Sequence, residues 1–224
     1  MQRRKSMTKL VLLSDLPFQP NEELNQRILE LLGHDKPSIG YIPSCSDPER
    51  KYFEHTVRYY NQRGIENIHY YDLDLEYDPS MFEQILAADA IHLSGGNTFY
   101  FLHLLQRRNV QDLLRSYVQE GGMLIGVSAG SILTTPTIEI AGYGKDADEN
   151  HVGLQDKRAL GLVDFDFAPH WDGEEDSLVS LRGYADTVGA KVYACQDGDG
   201  IVIDGKVIEL YGDVRLIDPR RRGG

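Results

Sequence analysis

Cysteine is scarce in this sequence: its 224 residues contain only Cys45 and Cys195. Two thiols are too few for the disulfide framework that stabilises many small secreted proteins. The sequence also lacks an uninterrupted apolar run of about 20 residues, the length that a membrane span requires. Its beginning has neither the apolar core nor the small-residue cleavage site of a secretory signal. We therefore expect a cytoplasmic protein that does not act at a membrane.

Positive charge is scarce as well, with 23 lysines and arginines against 35 aspartates and glutamates and a net charge of -12. Nucleic-acid binding needs clustered cations that displace counterions from phosphates, so this composition argues against nucleic acid as a partner. Two short basic runs, residues 2–5 and 220–224, are the exceptions, and charged chain ends are usually solvated. No pair of histidines or cysteines has metal-ligand spacing on one element, so we expect no metal. Nothing in the sequence calls for a cofactor.

The hydrophobic content of 41% can supply one sizeable core, so we expect a single domain over residues 1–224. Short β-rich apolar runs alternate with segments of helical period, which predicts an α/β fold, a doubly wound three-layer sandwich with a mostly parallel sheet. Near residues 197–212, closely spaced strands with Asp-Gly turns predict an antiparallel hairpin at one edge. The predicted strands cover residues 9–15, 38–44, 67–73, 90–95, 123–128, 165–170, 191–197, 200–205, 206–212 and 214–218.

Cap residues mark the ends of several helical segments. Asn21 is the expected N-cap of the first helix, Gly33 ends it, and Gly64 ends the second. The longest segment is expected to form two helices with a break near Asn109. The predicted helices cover residues 21–33, 47–64, 78–88, 97–122 and 176–189.

The stretch "GVSAG", residues 126–130, follows the apolar run "MLI" directly. G-x-S-x-G is the signature of a strand-turn-helix elbow, in which small neighbours allow a tight backbone that lifts the serine hydroxyl out of the sheet. The context of a strand before the motif and small residues after it fits that signature. Ser128 is therefore the candidate nucleophile, and an ordinary tight turn is the alternative.

A serine nucleophile also needs donors that hold the oxyanion, and the stretch "SGGNT", residues 94–98, offers them. Gly95 and Gly96 end one strand and open the next helix, so their backbone N–H groups can approach a ligand closely. The carboxyl end of the strand next to the elbow is also where open α/β sheets bind ligands. A plain loop turn is the alternative explanation of the two glycines.

Among the seven histidines, His170 has the position that a general base requires. The stretch "FDFAPHWD" puts it just after a strand, at the level of the other candidate groups. His69 and His92 lie within strands, where a partly buried and hydrogen-bonded imidazole is the commoner case. His151 lies in a polar loop that could reach the site, but it ends no strand. We therefore expect His170 to be the base.

Two regions offer the carboxylate that would orient His170. The loop "GKDADEN" holds Asp146 and Asp148, between the serine and the histidine in the chain, whereas "ACQDGDG" holds Asp197 at the end of a later strand. We favour Asp197, because a strand end fixes a side chain better than a loop of small and charged residues does.

Four motifs occur in an order that resembles the serine peptidase family containing dipeptidase E and cyanophycinase: "LSGGNTFYFL", "GVSAGSILTTPTI", "LGLVDFDFAPHWD" and "VYACQDGDGIVI". They span most of the chain. The resemblance implies a fold like that of class I glutamine amidotransferases. An amidotransferase itself would need a cysteine at the elbow, where this sequence has Ser128.

The resemblance implies that Ser128 is the nucleophile, that His170 is the base, and that the acid stands at Asp197, where relatives often carry glutamate. In dipeptidase E the acid has also been placed in the loop before the histidine, at a "TND"-like stretch that this sequence lacks. Asp146 is therefore the reserve choice for the acid.

The resemblance also implies that the amides of Gly96 and Ala129 form the oxyanion hole, with Asn97 beside them to bind substrate. The implied reaction is hydrolysis of a small peptide through an acyl-enzyme, which water activated by the histidine then releases.

The substrate's charge is less clear from the motifs. Where the dipeptidase E branch leads us to expect an arginine, after the histidine, this sequence reads "WDGEEDS". Its four carboxylates would repel an acidic side chain if they face the site, and would favour a free amino terminus or a basic residue. The alternative is a solvated loop and helix start, where acids suit the helix dipole. The carboxylates are those of Asp172, Glu174, Glu175 and Asp176.

Other functions fit the same residues. An ordinary α/β-hydrolase is disfavoured, because its histidine lies near the chain end and His170 comes too early. A catalytically silent family member that binds small peptides or acts as an oligomeric protein is one alternative, and a different serine hydrolase such as an esterase is another. A homodimer is compatible with the sequence.

Overall fold

The computed structural model describes residues 8–16, 21–145 and 147–220. The reserve acid Asp146 lies outside the described residues, and so do both basic ends except Arg220.

Ten strands form within the described residues, one in each of the predicted strand segments. Each strand is shorter than its prediction. The strands are β1 (Lys9–Leu13), β2 (Ser38–Ile42), β3 (Asn67–Tyr70), β4 (Ala90–Leu93), β5 (Met123–Val127), β6 (Asp166–Ala168), β7 (Val192–Cys195), β8 (Gly200–Asp204), β9 (Val207–Tyr211) and β10 (Val214–Ile217).

The helices lie between these strands, and most of them match the predicted segments. Short 3-10 turns occur at Pro79–Met81 and Glu139–Gly142. None of the helices in the described part of the chain is long and apolar enough to cross a membrane. The helices are α1 (Glu22–Leu32), α2 (Lys51–Asn61), α3 (Phe82–Leu86), α4 (Thr98–Arg107), α5 (Gln111–Gln119), α6 (Ala129–Ile132) and α7 (Glu175–Val188).

The predicted ends of α1 are confirmed, whereas the predicted end of α2 at Gly64 is wrong: α2 ends at Asn61, and Gln62 is its C-cap. The Asn21 side chain accepts a hydrogen bond from the Leu24 N–H at 3.1 Å, and Gly33 ends α1 in the left-handed conformation, with φ of 75°. Asn109 has φ of 57° between α4 and α5, so the predicted break is also confirmed. Helix α6 was not predicted, since four residues are too few to show a helical period.

The main sheet has seven strands in the order β3-β2-β4-β5-β1-β8-β9. The first five are parallel, β8 pairs antiparallel with β1, and β9 pairs antiparallel with β8. The predicted mostly parallel sheet with an antiparallel edge hairpin is therefore confirmed. Because β4, β5 and β1 are neighbours and parallel, their carboxyl ends meet at one edge of the sheet.

A second sheet of three strands, in the order β10-β7-β6, stands apart from the first. Strands β6 and β7 are parallel, and β10 pairs antiparallel with β7. The sequence shows that these segments are strands but not which strands they pair with. Strand β8 occupies the free edge of β1, so β7 finds its partners in this smaller sheet.

Both faces of the main sheet are covered by apolar side chains. On β1, Val11 and Leu13 face the core beneath α1 and α2, whereas Leu10 and Leu12 face the larger core that also includes α4 and α5. Burial on both faces explains the continuous apolar run "KLVLL", which replaces the alternation of a half-exposed strand. The helices on the two faces make the predicted three-layer arrangement.

His92 lies within β4 and is almost fully buried, with its Nδ1 2.9 Å from the Tyr60 hydroxyl. It is therefore the buried, hydrogen-bonded imidazole expected for a histidine in mid-strand. Burial lowers the pKa of His92 to about 3 from an ordinary 6.5, because the imidazolium would lose its hydration.

Acid is therefore expected to destabilise the fold through His92. The pKa is lower in the folded state, so the unfolded chain binds more protons below pH 6.5, and stability falls as the pH falls toward 3. Linkage gives a loss of about 2 kcal/mol between pH 7 and pH 5. Urea unfolding at pH 7 and pH 5 measures the loss of stability, which should be smaller by this amount in His92→Gln than in the wild-type protein. An equal loss in the two proteins would contradict the prediction.

Candidate active site

Ser128 occupies a sharp turn between β5 and α6, with φ of 49° and ψ of -110°. Residues other than glycine rarely adopt such a φ, so the surrounding structure must hold the Ser128 backbone in this conformation. The neighbouring glycines leave the room for this turn: a Cβ at Gly126 would lie 2.5 Å from the Ser131 amide nitrogen, and a Cβ at Gly130 would lie 2.1 Å from the Leu93 carbonyl oxygen. Gly126 is therefore required by the close approach of α6, and Gly130 by the close approach of β4.

Three side chains named from the sequence lie in contact. The Ser128 Oγ is 2.8 Å from Nε2 of His170, and Nδ1 of His170 is 2.7 Å from Oδ1 of Asp197. A carboxylate only accepts hydrogen bonds, so Nδ1 carries the proton and Nε2 is left to accept from the serine hydroxyl. A hydroxyl, an imidazole and a carboxylate in this series form the geometry of a serine hydrolase.

The two partners of the serine come from the smaller sheet. His170 follows β6, and Asp197 follows β7. His170 has φ of 59°, which places it with Ser128 among the few non-glycine residues in the left-handed region. No pattern in the sequence predicts this conformation of the histidine.

Asp148, the loop alternative for the acid among the described residues, does not bond to His170. Oδ2 of Asp148 accepts from the Thr98 N–H at 2.8 Å, at the start of α4. His151, the alternative base, is exposed and lies 3.2 Å from Glu149. Of the candidate acids in the described residues, Asp197 is the one that contacts the imidazole.

Ser14 belongs to the site, although the sequence pattern predicts only a strand residue at this position. It is fully buried directly after β1. Its Oγ accepts from the His170 N–H at 2.7 Å and lies 3.0 Å from Oδ1 of Asp197. The polar pair "SD" at the end of an apolar strand is the signal that could have drawn attention to it.

The glycines of "SGGNT" lie beside the serine, as their position after β4 predicts. A Cβ at Gly95 would be 3.6 Å from the Cβ of Ser128. Gly96 has φ of 128°, and a Cβ there would lie 2.1 Å from the Ser44 hydroxyl oxygen, so this position requires glycine. Ala129 is the first residue of α6 and is fully buried.

Asn97 lines the cavity but has its polar atoms engaged within the protein. Its Oδ1 caps α4 by accepting from the Tyr100 N–H at 2.9 Å, and its Nδ2 donates to the Glu149 carbonyl at 3.0 Å. Its own N–H donates to the Ser46 hydroxyl at 3.0 Å. Asn97 thus fixes the Gly96 turn against α4.

A cavity of about 740 Å³ opens beside Ser128 and His170, large enough for a small peptide. A smaller cavity of about 180 Å³ lies on the other side, and Tyr52, Gly96 and both catalytic candidates line the two cavities together. The serine therefore stands between a large and a small space.

Acidic groups dominate the charge of the larger cavity. Among the described residues, the charged side chains that line it besides His170 are Lys145, Asp148, Asp172 and Asp176. Lys145 lies 2.6 Å from Asp172, and this contact, together with the hydroxyl of Ser177, holds the pKa of the Asp172 carboxyl well below its usual range. The predicted acidic run therefore divides, since Asp172 and Asp176 face the cavity and the two glutamates between them do not line it.

Neither cysteine has the properties of a nucleophile. Burial raises the pKa of Cys45 to about 12, and burial also raises the pKa of Cys195 far above its usual range. Both thiols thus stay protonated at neutral pH.

Comparison with known proteins identifies the family. The model of peptidase family S51 matches residues 10–211. The chain therefore belongs to peptidase family S51, a serine-type peptidase family, and the resemblance found in the four motifs is confirmed.

The relatives include both named and uncharacterized peptidases. An uncharacterized peptidase from Pasteurella multocida is 33% identical over 136 residues, which cover 60% of this chain and 65% of that protein. Peptidase E from Nostoc sp. is 29% identical over 171 residues, which cover 73% of this chain and 65% of that protein. The matched segments span less than two thirds of either relative.

Two solved structures share the fold. A candidate peptidase E protein from Listeria monocytogenes EGD-e has a TM-score of 0.73 at 23% identity, covering 95% of this chain and 100% of that chain. A peptidase from an acI-B1 Actinobacterium has a TM-score of 0.70 at 15% identity, covering 97% of each chain. These likenesses concern the fold and confirm the α/β class.

Gly130→Ala is expected to destabilise the protein by about 1–3 kcal/mol, since its new methyl group would overlap the Leu93 carbonyl. Gly183 offers a matched control: it lies within α7, and a Cβ there would meet only the Tyr143 hydroxyl, at 3.8 Å. Gly183→Ala should stabilise the protein by about 0.5–1 kcal/mol. Urea unfolding measures both changes, and equal stability of the two variants would show that the turn tolerates a larger residue.

Proposed function

We propose that this protein is a serine peptidase that hydrolyses small peptides through Ser128, His170 and Asp197. The observation that carries the proposal is the continuous series of contacts from the serine hydroxyl to the carboxylate, at 2.8 and 2.7 Å. Membership of family S51 supports peptide hydrolysis over another reaction of the same three groups.

The reaction begins when His170 takes the proton of Ser128 and the serine oxygen attacks the peptide carbonyl. Asp197 holds the imidazole in the required tautomer and stabilises the imidazolium that forms. His170 then gives the proton to the leaving amine, and an acyl-enzyme remains on Ser128. Water deprotonated by His170 attacks the acyl group and restores the serine.

Backbone amides are proposed to stabilise the negative charge on the carbonyl oxygen. Gly96 and Ala129 flank Ser128 from β4 and α6, and neither N–H donates to another described residue. Both amides therefore keep a donor for the oxyanion, as such a site requires. Asn97 contributes by fixing the Gly96 turn and forming part of the wall against which substrate lies.

The charge of the larger cavity supports a preference for cationic substrates. Asp148 and Asp176 add two negative charges to its lining, while Lys145 and Asp172 neutralise each other. A substrate with a free amino group or a basic side chain is attracted to this lining, and an acidic side chain is repelled. Asp176 is exposed, so salt will weaken the preference.

Ser128→Ala is expected to lower kcat/KM for peptide hydrolysis by at least about a thousandfold, the scale typical of removing a triad member. Steady-state hydrolysis of a dipeptide panel measures the loss. The control is Ser80→Ala, a change at an exposed 3-10 turn, which should leave the rate unchanged. Undiminished hydrolysis by Ser128→Ala would exclude the proposed nucleophile, and a wild-type protein that turns over esters but no peptide would favour the esterase alternative.

Dipeptides that differ only in the first residue test the charge preference. We expect kcat/KM for lysyl and arginyl substrates to exceed that for aspartyl substrates by at least about tenfold, equivalent to about 1.4 kcal/mol. Asp176→Asn should narrow this ratio, as should added salt. Glu174→Gln is the matched control, because Glu174 belongs to the same acidic run but does not line the cavity. Equal rates for aspartyl and lysyl substrates would contradict the preference without affecting the proposed nucleophile.

A further inference from the structure

The residue that follows β1 contacts both partners of the catalytic serine. Ser14 Oγ accepts a hydrogen bond from the His170 N–H at 2.7 Å, and it lies 3.0 Å from Oδ1 of Asp197. Ser14 is fully buried, and its own N–H donates to the Asp199 carbonyl at 3.1 Å. It touches neither cavity, so its effect on substrate must act through these neighbours.

The single hydroxyl proton of Ser14 has two acceptors within reach, Oδ1 of Asp197 and the Cys195 carbonyl at 3.1 Å. The Cys195 carbonyl already accepts from the Trp171 N–H at 3.0 Å. A hydrogen bond to a carboxylate is also the stronger of the two. The Ser14 hydroxyl therefore donates its hydrogen bond to the Asp197 carboxylate.

Asp197 needs such a donor, because its side chain is 56% exposed. The oxygen that receives the Ser14 hydroxyl is the same Oδ1 that receives Nδ1 of His170. Within the described residues, these are the two side chains that bond to the carboxylate. Without Ser14, the carboxylate can rotate toward water and lose its alignment with the imidazole.

The histidine needs an anchor as well, since its backbone has a left-handed φ of 59°. Its N–H is held by Ser14, and the next N–H, of Trp171, is held by the Cys195 carbonyl. A residue in this sparsely populated region stays there only when neighbouring groups fix it. The Ser14 oxygen is one of those groups.

We propose that Ser14 is a positioning residue of the catalytic site, a fourth member that fixes the His170 backbone and the Asp197 carboxylate at once. The inference rests on the proposed serine peptidase function. The hydroxyl aligns the base with Ser128 before substrate arrives, and it takes no part in the proton transfers.

Ser14→Ala tests the proposal. We expect kcat to fall about 10- to 100-fold, the scale of a small misplacement of catalytic groups, while KM stays within about twofold because the cavity is unchanged. Ser14→Thr restores the hydroxyl and should recover most of kcat. Labelling of Ser128 by a fluorophosphonate should slow in parallel with kcat in Ser14→Ala, because that reaction also depends on the base. If Ser14→Ala does not fold, Ser14→Cys keeps the shape with a weak donor and should show the same loss of kcat.

The control is Thr135→Val, which also removes a fully buried hydroxyl. Thr135 Oγ1 lies within hydrogen-bond distance of two carbonyl acceptors, of Ile132 at 2.8 Å and Thr137 at 2.7 Å, and it contacts none of the three catalytic groups. It should lower the melting temperature about as much as Ser14→Ala does, with kcat unchanged. An equal fall of kcat in both variants, or wild-type kcat in Ser14→Ala, would overturn the positioning role. If Ser128→Ala is inactive in that same experiment, the proposed peptidase function stands.

Discussion

The carboxyl end of β1 connects the three catalytic candidates through hydrogen bonds of two adjacent residues. The Leu13 carbonyl accepts from the Ser128 N–H at 2.9 Å and from the Ser131 hydroxyl at 2.8 Å, so it holds the turn that carries the nucleophile. The next residue, Ser14, bonds to the histidine backbone and faces the aspartate. Strand β1 lies between β5 and β8, and its position in the sheet therefore determines where the whole site can form.

Two residues of the site have a left-handed backbone, and each is held by a bond to this strand end. Such conformations cost about 1–3 kcal/mol each and persist only where the fold fixes them. At Ser128 the cost is offset by bonds from β1 and by the close packing of Gly126 and Gly130. At His170 the cost is offset by the Ser14 oxygen. The rigid strands on either side thus maintain a geometry that an isolated loop would not adopt.

Much of the fold follows from local patterns in the sequence. Continuous apolar runs such as "KLVLL" indicate strands buried on both faces, and the Asn21 and Gly33 caps define a helix by bonds between neighbours in the chain. The pairing of β6, β7 and β10 into a separate sheet was beyond such patterns, because partner choice depends on contacts between segments far apart in the chain.

Some residues of the candidate site could likewise be predicted from the sequence, and others could not. Ser128, His170 and Asp197 each lie at a strand end, a position that the sequence reveals. Ser14 was overlooked, because a serine at the end of a strand has many ordinary roles and only the folded chain brings it to residues more than 150 positions away. The division of the acidic run between cavity and solvent likewise depends on how α7 is oriented.

The nucleophile belongs to one sheet, whereas the imidazole and its carboxylate both belong to the other, and among the residues described no ladder of backbone hydrogen bonds joins the two sheets. A rigid shift of the smaller sheet would carry base and acid together and preserve their mutual alignment. The displacement would change the distance between the serine oxygen and the imidazole, and it would stretch the two Ser14 hydrogen bonds that link β1 to His170 and Asp197. Packing between the two sheets is thus a place where substitutions can change the rate of proton removal without altering the groups that perform it.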